Sequence, residues 1–72
     1  MNIRYWNAGD SGCGSLIVGL KRQIEQIAPG EQLHVTASNE GAPADLPSWC
    51  RVTGHVLVRA NHPIYVLRKK VD

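Results

Sequence analysis

The apolar residues of this chain change their period between neighbouring segments, and that change limits the available folds more than any other feature. Leu16, Leu20, Ile24 and Ile27 recur at the spacing of one helix face, with Ile17 beside them and Lys21, Arg22, Glu25 and Gln26 on the polar side. Ala28-Pro29-Gly30 stops that helix, since neither Pro nor Gly continues it well. From Gln32 to Ser38 the pattern alternates instead. Leu33, Val35 and Ala37 share one face and His34, Thr36 and Ser38 the other, which predicts a half-buried strand.

The flanking segments extend the same reading. Ile3 to Trp6 is short, β-branched and aromatic and predicts a strand, while Asn7 to Gly12 predicts a loop. Asn39-Glu40-Gly41-Ala42-Pro43 turns into a second helix with Pro43 near its first position. Leu46, Trp49, Cys50 and Thr53 form one face of that helix, and Gly54 ends it. Pro47 is expected within the first turn, where amides lack partners anyway. His55 to Ala60 and Ile64 to Lys70 predict two strands joined at Asn61-His62-Pro63 as a hairpin. The order βαβαββ predicts an α/β (α+β) two-layer sandwich, a single domain over residues 1–72. Its four-stranded mixed sheet has two helices packed on one face. The first two strands should pair in parallel and the last two antiparallel. The opposite face stays partly open, with Tyr5, His34, Thr36 and Arg59 expected to line it.

Composition sets the scale. A chain of 72 residues buries only roughly 60% of its unfolded surface, which excludes a multi-domain enzyme with a deep cavity. A 43% hydrophobic and 19% charged content excludes a disordered tail. A net charge of +2 is too small to argue for nucleic acid or membrane by itself. No apolar run reaches the length of a membrane span, and Met1 to Trp6 carries no apolar signal-peptide core. Two cysteines are too few for a disulfide framework, which points to a reducing cytoplasm. His34, His55 and His62 stand on separate elements without metal-ligand spacing, so no metal site is expected.

Cys13 carries the chemistry, because it lies in a glycine-rich loop at the entrance to the first helix. Unpartnered amides point at such a position, and the helix dipole adds about half a positive charge there. Both favour a thiolate, lowering the pKa of a cysteine from about 8.5 into the range of roughly 3.5–7.5. A thiolate at neutral pH can attack sulfur and carry it as a persulfide. Gly12, Gly14 and Ser15 are small and would leave the sulfur open to a partner. The opposing reading is a small, inert residue tucked at a helix entrance. Asp10 works against the thiolate if its carboxylate lies within about 4–6 Å. Cys50, on the apolar face of the second helix, reads as inert core filler. Arg51, Arg59, Arg68, Lys69 and Lys70 give the later half a basic bias, either as solvated strand ends or as a docking patch for an acidic partner or tRNA.

At these residues the chain resembles the TusA/SirA-like sulfur-carrier domains over nearly its whole length. The most specific match is Ala42-Pro43-Ala44-Asp45-Leu46-Pro47-Ser48-Trp49-Cys50-Arg51-Val52-Thr53-Gly54-His55, with Pro29-Gly30-Glu31-Gln32-Leu33-His34-Val35 and the helix-start cysteine in agreement. The family pattern Cys-Pro-x-Pro reads Cys13-Gly14-Ser15-Leu16 here. Asn7 replaces an Asp, and Asp10-Ser11 replaces a Gly-Leu pair. The resemblance implies a cytoplasmic, monomeric sulfur carrier (sulfurtransferase) that accepts a persulfide sulfur on Cys13 and passes it on. Gly14 and Ser15 would supply amides that hold the thiolate or persulfide. The implied partners are a sulfur-donor protein of the cysteine desulfurase or rhodanese type and a sulfur-acceptor protein. tRNA would be reached only indirectly, with no membrane and no cofactor. The alternative is a non-catalytic protein- or RNA-binding module of the same fold.

Overall fold

A computed structural model describes residues 3–71, with Cys13 described by its backbone alone. Six elements follow in order: β1 (Ile3–Gly9), α1 (Cys13–Ile24), β2 (Gln32–Ala37), α2 (Ala42–Thr53), β3 (Val56–Asn61) and β4 (Ile64–Arg68). The strands lie side by side as β1-β2-β4-β3. β1 runs parallel to β2, while β4 runs antiparallel to both β2 and β3. This is the expected two-layer α/β sandwich.

Its core is made where the two periods meet. Leu16, Leu20 and Ile24 of α1 and Leu46 and Cys50 of α2 cover Leu33 and Val35 of β2 and Tyr65 and Leu67 of β4, all of them buried. Each fully buried Leu of this kind contributes about 1.5–3 kcal/mol. The register fixes the other face. Tyr5 lies across from His34, His34 from Val66, and Val66 from Arg59, so these four form one row on the uncovered side, with Thr36 in the next row.

Several element boundaries differ from the sequence expectation. β1 continues to Gly9, because the Asn7 and Gly9 backbones pair with Thr36 and Ala37 around a bulge. The Asn7 carboxamide oxygen accepts the Gly9 amide at 2.8 Å. α1 begins at Cys13 itself and ends at Ile24, so Ile27 completes the apolar stripe from the turn that follows. β3 and β4 exclude His55, Lys69 and Lys70. Pro47 lies in the second turn of α2, not the first, since that helix already starts at Ala42. Pro43 therefore has a carbonyl with no amide to receive from Pro47, and the helix continues with one ladder bond missing. α2 ends at Thr53 and is capped by Gly54, whose amide donates to the Cys50 carbonyl and whose φ of +88° turns the chain out of the helix.

The turn after α1 and the last residue of α2 are tied to the residues after β4. The Lys69 amine donates to the Ile27 carbonyl at 2.8 Å, and the Lys70 amine donates to the Thr53 carbonyl at 3.0 Å. A cation on a helix-end carbonyl also opposes the negative end of the helix dipole.

Gly19 sits mid-α1 with the Trp6 indole packed over it. A Cβ there would fall on ring carbons Cη2 and Cζ2. Helix propensity alone favours Ala over Gly by about 1 kcal/mol. Overpacking costs about 1–3 kcal/mol and is the larger effect. Gly19→Ala is therefore expected to lower stability in a urea titration, and Trp6→Ala in the same chain to restore the gain of Ala over Gly.

Candidate active site at the start of α1

The β1–α1 loop is built from turn-forming residues that bond among themselves. Ser11 donates its hydroxyl to the Ala8 carbonyl at 2.7 Å. The Ser38 amide donates to the Gly9 carbonyl at 2.9 Å, and Asn39 Nδ2 donates to the Asp10 carbonyl at 3.3 Å. These last two bonds hold the loop that enters α1 against the loop that enters α2. Both helices consequently start at the same end of the sheet, where the parallel strands β1 and β2 finish, and their positive dipole ends share that end.

Gly12 is the N-cap of α1 in extended backbone, with φ −76° and ψ 179°, and Cys13 is the first helical residue. The first helical bond runs from the Leu16 amide to the Gly12 carbonyl at 2.7 Å. Amides ahead of it, those of Gly14 and Ser15 among them, have no intrahelical acceptor. Among the described residues no side chain caps them, and no acidic residue lies in the first turn. This leaves donors and dipole available to an anion. The Cys13 side chain lies outside the described residues. Gly14 and Ser15 are exposed, and a Cβ on Gly14 would meet nothing. Asp10 is exposed as well and does not cap the helix.

Shallow apolar ground flanks α1 on both sides. Between the helices, Ile17, Asp45, Ser48, Trp49 and Val52 line a groove of about 260 Å³. Val18 is 54% exposed on the Gly14 side and Val52 is 84% exposed on α2.

A family model described as Sulfurtransferase TusA matches residues 7–69. The chain belongs to that family. A putative sulfur carrier protein of Neisseria meningitidis is 41% identical over 61 residues, covering 85% of this chain and 82% of the relative. The sulfur carrier protein TusA of Pseudomonas aeruginosa is 33% identical over 64 residues, covering 83% and 81%. A putative sulfur carrier protein of Archaeoglobus fulgidus is 31% identical over 52 residues, covering 72% and 71%.

The remaining polar groups of this TusA-family domain are dispersed. Cys50 is 4% exposed, and burial pushes its thiol from 9.0 up to about 11. It also sits eight residues into α2, about 12 Å of helical rise from the end where the helices start. Because the folded thiol titrates above its unfolded value, its contribution is full below about pH 9 and is lost as the pH rises through about 11. Stability should therefore fall by on the order of 2 kcal/mol across that window in pH-dependent urea melts. Cys50→Ala should remove that loss, leaving the part due to Tyr65, whose hydroxyl burial also pushes upward.

The five basic residues named from sequence do not meet on one surface. Arg51 is exposed on α2, and Arg59 and Arg68 are exposed on the sheet. Lys69 and Lys70 have their amines on the Ile27 and Thr53 carbonyls. The histidines are likewise separate. His34 lies against Tyr5, His62 Nδ1 is 2.6 Å from the Tyr65 hydroxyl, and His55 packs on Trp49 with its Nδ1 accepting the Lys70 amide. Burial, then the Lys70 and Lys69 charges, lower the His55 pKa and keep that nitrogen an acceptor. Among the described residues no group of three or more His, Cys, Asp or Glu could hold a metal, and no helix is long and apolar enough to cross a membrane.

The Ser38 and Asn39 bonds that fix the entry loop were not anticipated. Their only sequence signal is the density of Asn, Ser, Asp and Gly in both helix-entry segments.

Proposed function

We propose that the chain is a cytoplasmic sulfur carrier that accepts a persulfide sulfur on Cys13 and hands it to a partner protein. The observation that carries this reading is a helix start with Cys13 as first residue, no capping side chain and no carboxylate in its first turn, in a chain of the TusA family. In the loading step the Cys13 thiolate attacks the outer sulfur of a donor cysteine persulfide. The new S–S bond forms at Cys13, the donor S–S bond breaks, and the donor cysteine leaves as a thiolate. The step needs no external oxidant or reductant. In delivery an acceptor nucleophile attacks the same outer sulfur, and Cys13 leaves as a thiolate. The Gly14 and Ser15 amides and the α1 dipole stabilise the anionic sulfur in both states. The donor, of the cysteine desulfurase or rhodanese type, and the acceptor approach over the apolar ground around Val18 and Val52.

The test is intact mass after incubation with polysulfide, or with a cysteine desulfurase and cysteine, followed by peptide mapping. A gain of one reducible sulfur on the peptide containing Cys13 is expected. No gain from either donor, or a gain mapped to Cys50, would refute the carrier reading and leave a binding module of the same fold.

A further inference from the structure

The helices cover one face of the sheet and leave the other open, and the open face has a composition of its own. Tyr5 is 73% exposed there, its ring 4.8 Å from the His34 ring and tilted by 54°. In the same row, His34 pairs with Val66 and Val66 with Arg59, and Arg68 lies two residues along β4 on the same face. Gln32, His34, Val58, Arg59 and Val66 line a recess of about 320 Å³ between the aromatic pair and the guanidinium groups. Among the described residues every acidic side chain sits in a helix or a connecting segment, so none lies on a strand to neutralise Arg59 or Arg68.

We propose that this open sheet face binds single-stranded RNA, with bases stacked on Tyr5 and His34 and phosphates held by Arg59 and Arg68. Charge complementarity favours an anionic occupant. The exposed ring of Tyr5 suits a planar one, because every base offers a stacking face. Guanidinium groups serve both purposes, pairing with phosphate and stacking on bases. A second copy of this chain is a poor occupant, since its own open face carries no described acidic side chain to pair with Arg59 and Arg68. Single strands suit the surface better than duplex, whose bases are already stacked and whose edges a flat row of side chains cannot reach. The inference is independent of the chemistry at Cys13.

The test is fluorescence anisotropy with a labelled oligouridylate of about 12 nucleotides, within the range that open β-sheet binders cover. Binding is expected at about 50 mM salt and much weaker binding at about 200 mM. Tyr5→Ala should weaken it about tenfold and Tyr5→Phe leave it within about twofold. Arg59→Ala with Arg68→Ala should reduce the salt slope by about 1.4, the value for two phosphates on a single strand. Tyr5 is exposed, so these variants should melt like the wild type by circular dichroism. The proposal is overturned by no binding at low salt, by binding indifferent to Tyr5→Ala, or by equal affinity for a blunt duplex. Competition by poly-glutamate as effective as by unlabelled oligouridylate would point to an acidic protein instead and overturn it too. Self-association that protects β3 and β4 from hydrogen exchange would have the same consequence.

Discussion

Cys13→Ser is expected to accept no sulfur from donors that load the wild-type protein fully, while Cys50→Ala loads to the wild-type extent. The contrast follows from the two environments. An N-terminal helix position without a capping side chain or a first-turn carboxylate favours the thiolate. A thiol 4% exposed in the core, pushed up to about 11, stays protonated and out of reach. Iodoacetamide gives the same contrast as a rate. Cys13 should alkylate in the folded protein, and Cys50 should react only when the whole domain opens. Ser15→Ala should leave loading within about twofold if the backbone amide, which the substitution keeps, is the group that holds the anion. Complete loading of Cys13→Ser would sink the assignment of the acceptor.

Leu16→Ala is expected to lower stability by about 2–5 kcal/mol in urea titrations. A domain of 72 residues has about 4–11 kcal/mol in all. The substitution thus removes a large fraction, and partial unfolding at 37 °C should be visible by circular dichroism. Leu16 is fully buried, and its own amide makes the first helical bond to Gly12. It anchors the turn that carries Cys13, so the variant should also load sulfur more slowly at temperatures where it is still folded. Leu16→Pro, which restores the second proline of the family pattern, should be worse. It removes the same buried side chain and also the amide that reaches Gly12 at 2.7 Å.

The element order, the parallel and antiparallel pairings and the open-face residues Tyr5, His34, Thr36 and Arg59 were legible because period and turn chemistry agree along most of the chain. The extension of β1 through Asn7 to Gly9 was not, since those residues are turn formers locally and are held extended only by pairing with Thr36 and Ala37. Pro47 misled in the same way. Its position in the second turn depends on where α2 starts, and packing of Ala42 and Leu46 sets that start. At the site, the placement of Cys13 at a helix entrance could be read from glycines followed by an apolar stripe. The Asn39 bond to Asp10 spans two distant loops and leaves no spacing signal. The same holds for Lys69 and Lys70, which look like a solvated basic run until the helix ends are brought beside them.

The strand order β1-β2-β4-β3 sets the timing of assembly on the ribosome. β4 is the last strand in sequence yet lies between β2 and β3, supplying Tyr65 and Leu67 to the centre of the core. Until it emerges from the exit tunnel, β2 and β3 have no shared neighbour and the apolar sides of both helices lack half of what they cover. Completion of the sheet is therefore expected to follow the emergence of β4, and a stalled chain would present Leu33, Val35 and Leu57 as unpaired strand surface.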